Sequence, residues 1–181
     1  MAMIKKSMTR ARKRPQKVVV AVSGGFDPLH IGHVRMFENA RALGDELVVI
    51  LNNDNWLRAK KGFAFMTEKE RKEVIEALRV VDRVVITRHK PKDPDMSVSR
   101  ALRAVRPHIF ANGGDRNPAN AADPQSSLYK DLGTCKALGI EMVFNVGKGG
   151  KIQSSSWLLK KHFERAAAGA AKPKRLKNFK K

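Results

Sequence analysis

The sequence has 181 residues, 42% of them hydrophobic, which is the size and composition of one domain with a continuous core. Its 37 lysines and arginines outweigh 17 acidic residues for a formal net charge of +20, and the single cysteine, Cys135, excludes an internal disulfide and a cysteine-built zinc site. No apolar run nears the roughly 20 residues of a membrane span and no signal-type apolar stretch follows the basic N-terminus, so a soluble, unsecreted protein of the reducing cytoplasm is expected.

Residues 1 to 17 hold seven basic residues and no acid, without the periodicity of a packed element, and predict a mobile basic tail over 1–16. The β-branched run Val18 to Ser23 predicts a strand. After His33 come Met36, Phe37, Ala40 and Leu43 at helical spacing, with Gly44 as the stop. A second strand is expected from Glu46 to Leu51. Thr67 and Glu70 match a capping box, opening a helix that would bury Val74, Ile75 and Leu78. A strand from Arg83 to Thr87 leads to a helix from Val98 to Val105, which stops before Pro107. His108 to Ala111 predicts a fourth strand. The helix from Ser126 to Leu138 sets Leu128, Leu132, Cys135 and Leu138 on one face, which makes Cys135 a core residue rather than a nucleophile. Ile140 to Val146 predicts the fifth strand. A last helix begins near Ser155 and carries Trp157, Leu158, Leu159 and Phe163. Residues 166–181 add six basic residues and no acid, a second mobile tail. This alternation of strands and helices predicts an α/β fold: one Rossmann-like, doubly wound domain over 17–165 with a mostly parallel five-stranded sheet. The two tails either confer solubility or hold a polyanion such as nucleic acid by counterion release.

The chemistry is concentrated after the first strand, in Ser23-Gly24-Gly25-Phe26-Asp27-Pro28-Leu29-His30-Ile31-Gly32-His33. Two glycines at a strand end let backbone amides approach a phosphate, and the helix that follows offers unpaired N–H groups and positive potential. His30 and His33, three residues apart at the helix entrance, can aim both imidazoles at one phosphate chain. Gly32 keeps the space between them clear. No Gly-Lys-Ser or Gly-Lys-Thr ending of a P-loop follows, and the dinucleotide fingerprint is absent.

Gly24 through His33 resembles the phosphate-binding motif of the cytidylyltransferase-like nucleotidyltransferase superfamily, and the resemblance extends over roughly residues 17 to 160. Asn53-Asp54 and Lys60-Lys61-Gly62 resemble the lysine-bearing loop of these enzymes, and Glu70-Arg71 with Val81 to Val85 resembles the helix and strand that follow. Pro107 through Asn112-Gly113-Gly114-Asp115 resembles the segment of the heptose-phosphate nucleotidyltransferase and glycerol-phosphate cytidylyltransferase branches. Gln153-Ser154-Ser155-Ser156 stands where the family opens its last helix with hydroxyls.

The resemblance implies transfer of CMP or AMP from a nucleoside triphosphate to a phosphorylated small molecule, with release of pyrophosphate. His30, His33 and Lys61 would be catalytic, Lys61 and Lys60 acting from a mobile loop. Gly24, Gly25, Phe26, Asp27, Lys60, Gly114, Asp115, Ser154, Ser155 and Ser156 would bind the nucleotide. Asp27 would brace its loop; Asp115 would touch the ribose or a magnesium-bound water, or else cap its own turn. Asn53, Asp54 and Trp56 would border the acceptor pocket. Mg2+ would ride on the triphosphate, with no protein metal site; the oligomeric state stays open, a homodimer being offered only by analogy with relatives that are often dimers. Gly25 stands where many relatives carry threonine or cysteine. Lys148 and Lys151 precede the serines without the arginine of the glycerol-phosphate branch, which favours a sugar-phosphate acceptor. Two alternatives remain open: a coenzyme or dinucleotide-type adenylyltransferase, and a catalytically reduced fold that binds nucleic acid through its tails.

Overall fold

The computed structural model describes residues 17–114, 116–147 and 154–167. The expected tail 1–16, residues 168–181 of the other tail, Asp115, Lys148, Lys151 and Gln153 lie outside the described residues.

The β-branched runs form strands β1 (Val19–Gly24), β2 (Glu46–Leu51), β3 (Arg83–Ile86), β4 (Ile109–Ala111) and β5 (Glu141–Val143). All pair in parallel, in the order β3-β2-β1-β4-β5. Between them run α1 (Ile31–Arg41), α2 (Asp54–Lys61), α3 (Glu68–Glu76), α4 (Ser99–Val105), α5 (Pro118–Ala122) and α6 (Ser127–Leu138), and α7 (Ser155–Ala167) follows β5. The chain builds outward from β1 to β3, then returns to the other side of β1 for β4. That reversal makes a topological switch point between β1 and β4, where parallel sheets open a crevice beyond their carboxyl ends.

Strand alternation divides the core between the two faces of the sheet. Val20, Val22, Leu47 and Val49 meet Phe37 and Ala40 of α1 and Ile75 of α3 on one face. Ala21, Ile50 and Phe110 meet Leu102 of α4 and Leu128 and Cys135 of α6 on the other. Each of the valine, leucine, isoleucine and phenylalanine side chains, when fully buried, contributes about 1.5–3 kcal/mol. Cys135 is core as expected, and burial, with Asp131 beside it, pushes its thiol up to about 12.

Several expectations are corrected. Val74 is exposed, because Ile75 and Arg71 take the inward face of α3. The segment carrying Lys60 and Lys61 is the last turn of α2 rather than a loop, closed by Gly62 at φ 85. Only Leu57 of its eight residues is buried, so apolar periodicity gave no signal for it. β5 ends at Val143 instead of Val146; Asn145, at φ 59, turns the chain so that Val146 N–H donates to the Asn112 carbonyl. The last helix runs to Ala167, two residues into the segment expected to be tail. The Thr67–Glu70 capping box is present. Among the described residues, no helix is long and apolar enough to cross a membrane.

Candidate active site

A cavity of about 270 Å³ opens at the switch point. His30, His33 and Lys61 line it together with Ser154, Ser155 and Ser156, so groups from both ends of the chain meet in one place. Gly25, Phe26, Gly114 and Trp56 also line it. Asp115, expected here, lies outside the described residues.

The loop from β1 to α1 is shaped by close packing. A Cβ on Gly25 would come within 2.7 Å of Leu57, and one on Gly32 within 3.1 Å of the His30 ring. Gly24 packs against Phe26 and does not line the cavity. The Phe26 ring, 5% exposed, stands edge-on to His33 and to Phe37, with centroids 5.0 Å apart in each pair. It fixes one side of the His33 imidazole. The His30 ring stacks on the same imidazole at 3.6 Å and 19°.

The backbone sets the state of His33. Its Nδ1 accepts from the His30 N–H at 3.3 Å, so in the neutral ring Nε2 carries the proton. Burial is the main cause that lowers His33 to about 3, with His30 and Lys61 adding like charge. His30 is lowered chiefly by burial, and Lys61 lowers it further. Both imidazoles are therefore neutral donors near pH 7. Both ring nitrogens of His30 are shielded from solvent and have no hydrogen-bond partner among the described residues. Such a buried polar group costs about 1–3 kcal/mol until something pairs with it.

Lys61 Nζ donates to the Asp27 carbonyl at 3.2 Å, and burial holds its pKa below the usual lysine value, against the pull of Asp27. Lys60 is exposed and does not line this cavity. Asp27 is 1% exposed, and its carboxylate accepts from Phe65 N–H at 2.7 Å and Met66 N–H at 2.8 Å. It braces the segment between α2 and α3.

Asn53 and Asp54 do not border the cavity. Asn53 caps α2 by accepting from Trp56 N–H, and its amide donates to the His89 carbonyl. Asp54 pairs with Arg71 at 2.7 Å. Both are committed to the frame because α2 starts at the end of β2, where its first turn needs a cap and the buried Arg71 of α3 needs a counter-ion. Trp56 does line the cavity, held by its indole N–H on the Met96 carbonyl at 2.9 Å. Of the serines, Ser154 accepts from Trp157 N–H at the start of α7, and Ser155 donates to the Pro28 carbonyl at 2.9 Å. Ser156 is exposed.

Sequence reasoning missed Ser23, Arg35, Met36, Gly113, Val146 and Gly147 in the lining. Arg35 and Met36 stand three and four residues after Gly32, on the same face of α1, so that spacing was a usable signal. Gly113 is a matter of close approach: a Cβ there would meet the Val146 carbonyl at 2.5 Å. Nothing local to Val146 or Gly147 marks them.

The sequence profile of the cytidylyltransferase-like family matches residues 21–123. The bifunctional protein HldE of Koribacter versatilis is 36% identical over 110 residues, 60% of this chain and 21% of that protein. The FAD synthase of Thermococcus sibiricus is 37% identical over 105 residues, 58% of this chain and 68% of that one. The chain thus spans about a fifth of the length of the bifunctional relatives it matches. Among solved structures, the lipopolysaccharide core biosynthesis protein from Thermoplasma volcanium GSS1 superposes with a TM-score of 0.58 at 26% identity, over 73% of this chain and 98% of that one. Thermotoga maritima TmcAL, bound with alpha-thio ATP, shares the fold at a TM-score of 0.58 and 15% identity, over 82% of this chain and 51% of that one.

Proposed function

This chain belongs to the cytidylyltransferase-like family of nucleotidyltransferases, and we propose that it transfers AMP or CMP from the triphosphate to the phosphate of a sugar or polyol phosphate. An oxygen of the acceptor phosphate attacks the α-phosphorus, a new P–O bond forms, and the bond to the β-phosphate breaks, with pyrophosphate as the leaving group. A phosphate monoester is already largely anionic near neutral pH, its second pKa being about 6, so no protein nucleophile is needed. What the reaction requires is donors and cations aimed at the charge that develops on the phosphates.

The observation that carries this reading is the pair of buried, unpartnered ring nitrogens of His30 beside the stacked His33. In the neutral ring one of them carries a proton, which a phosphate oxygen accepts, and the other takes a donor. His33 Nε2–H donates to the α-phosphate oxygens, Lys61 neutralises charge, and the start of α7 supplies N–H groups and the Ser156 hydroxyl. Among the described residues no three His, Cys, Asp or Glu side chains group to hold a metal. The donor set of imidazoles and hydroxyls suits Mg2+ carried in on triphosphate oxygens and water.

The FAD synthase relative supports a second reading, in which the acceptor is a flavin mononucleotide and the transferred group AMP. One experiment separates them: pyrophosphate release from each of four triphosphates against a panel of sugar phosphates, polyol phosphates, flavin mononucleotide and phosphopantetheine. Turnover with a sugar or polyol phosphate, reduced by at least about a hundredfold in His33→Ala, is the expected result. Turnover confined to the flavin establishes the second reading, and no release with any pair overturns both.

A further inference from the structure

α7 carries two largely exposed aromatic rings about 120° apart around its axis, and the Phe163 ring meets His162 edge-on with centroids 5.9 Å apart. Trp157 is 56% exposed and Phe163 64%, while Leu158 and Leu159 of the same helix are half-buried. Lys160, Lys161 and Arg165 are exposed between and beside the rings, against one acid, Glu164. The Lys160–Glu164 contact is 3.8 Å long with both side chains mostly in solvent, so it ties up little of the lysine's charge. The sequence beyond α7 adds six more cations and no acid.

We infer that the exposed part of α7 is a binding surface for single-stranded nucleic acid. Exposed rings with cations interleaved offer what an unpaired strand presents: a base face to stack on and a phosphate to neutralise at each step. A chain of net charge +20 draws a polyanion to it from a distance. A membrane surface fits less well. No aliphatic side chain is exposed on the described part of this helix; its leucines are turned to partial burial, whereas a helix that lies in a bilayer interface presents a continuous apolar face. A duplex fits less well because its bases are already stacked on each other. The surface lies outside the lining of the nucleotide cavity apart from the serines that open the helix, so it is independent of the transferase reaction.

The test is fluorescence anisotropy of the full chain with labelled 20-nucleotide oligouridylate and oligothymidylate, a duplex of equal length, and vesicles of phosphatidylcholine with phosphatidylserine. The single strands are expected to bind more tightly than the duplex or the vesicles, with affinity falling steeply as salt rises. The Trp157→Ala/Phe163→Ala variant should lose about tenfold or more in affinity with an unchanged salt slope, as stacking is lost and charge kept. Lys160→Gln/Lys161→Gln should instead lower that slope by about 1.4, for two phosphate contacts on a single strand. Both variants should keep the thermal midpoint of the unaltered chain. Saturating ATP should leave binding unchanged. The inference is overturned by tighter binding to duplex or vesicles, by displacement of the strand by ATP, or by two variants that bind as the unaltered chain does, which would assign binding to the sequence outside α7.

Discussion

His33 shows how much of its chemistry a residue owes to its neighbours. Phe26 and His30 fix the ring, the His30 N–H selects its tautomer, and burial makes it a neutral donor. The same burial couples it to stability. Between about 3 and 6.5 the unfolded chain binds a proton at His33 that the folded chain does not, so stability rises with pH across that window. It is complete above 6.5 and is lost as the pH falls toward 3. The melting temperature should therefore drop between pH 7 and pH 5, and drop less in His33→Asn. Identical drops in the two proteins would show that His33 is not shielded as described. The motif marked this histidine as a candidate site residue, and the structure places it in the cavity lining. Its stacking partner and protonation state were not legible, because they depend on ring contacts rather than on spacing.

At the scale of elements, α2 and α3 hold the site's far wall, and Arg71 joins them to it. Its side chain is fully buried and donates to the carbonyls of Gly25 at 2.6 Å, Asn52 at 2.8 Å and Met66 at 3.1 Å, and to Asp54 at 2.7 Å. One guanidinium thus pins the β1–α1 loop, the end of β2 and the first turn of α2. Its planar fork reaches all of these at once, which an ammonium cannot. Arg71→Ala leaves Asp54 without its buried counter-ion and three carbonyls without a donor. We expect a loss of about 3–5 kcal/mol in chemical denaturation, only partly recovered by Arg71→Lys. A loss under about 1 kcal/mol would mean that water replaces the guanidinium freely. In the sequence Arg71 is a polar residue in a charged run, Glu68 to Glu73, and nothing there announces that it points inward. α2 was equally hidden, since Asn53 and Asp54 read as pocket residues when in fact they start and anchor the helix that delivers Lys61.

Across the whole molecule, the cavity draws on residues from Ser23 to Ser156, and its two ends are tied by Ser155 donating to the Pro28 carbonyl. A nucleotide that bridges the β1–α1 loop and α7 should stabilise the entire fold. At a hundred times its Kd the gain is about 2.7 kcal/mol, read as a rise in melting temperature with the triphosphate. That rise should vanish in His30→Ala/His33→Ala, and its survival there would place the nucleotide elsewhere. The order of the five strands and of five of the seven described helices, the parallel sheet and the histidine motif were present in the linear chain, whereas α2 and α5 were not. Hydrophobic period, glycine stops and the Thr67 cap are local signals, and each acts within a few residues of where it is written. Which of the marked residues face the cavity was decided only by packing. Asn53, Asp54 and Asp27 turn to backbone and arginine partners, while Arg35, Met36 and Gly113 enter the lining, because those choices depend on the distances between segments that touch only once the sheet has formed.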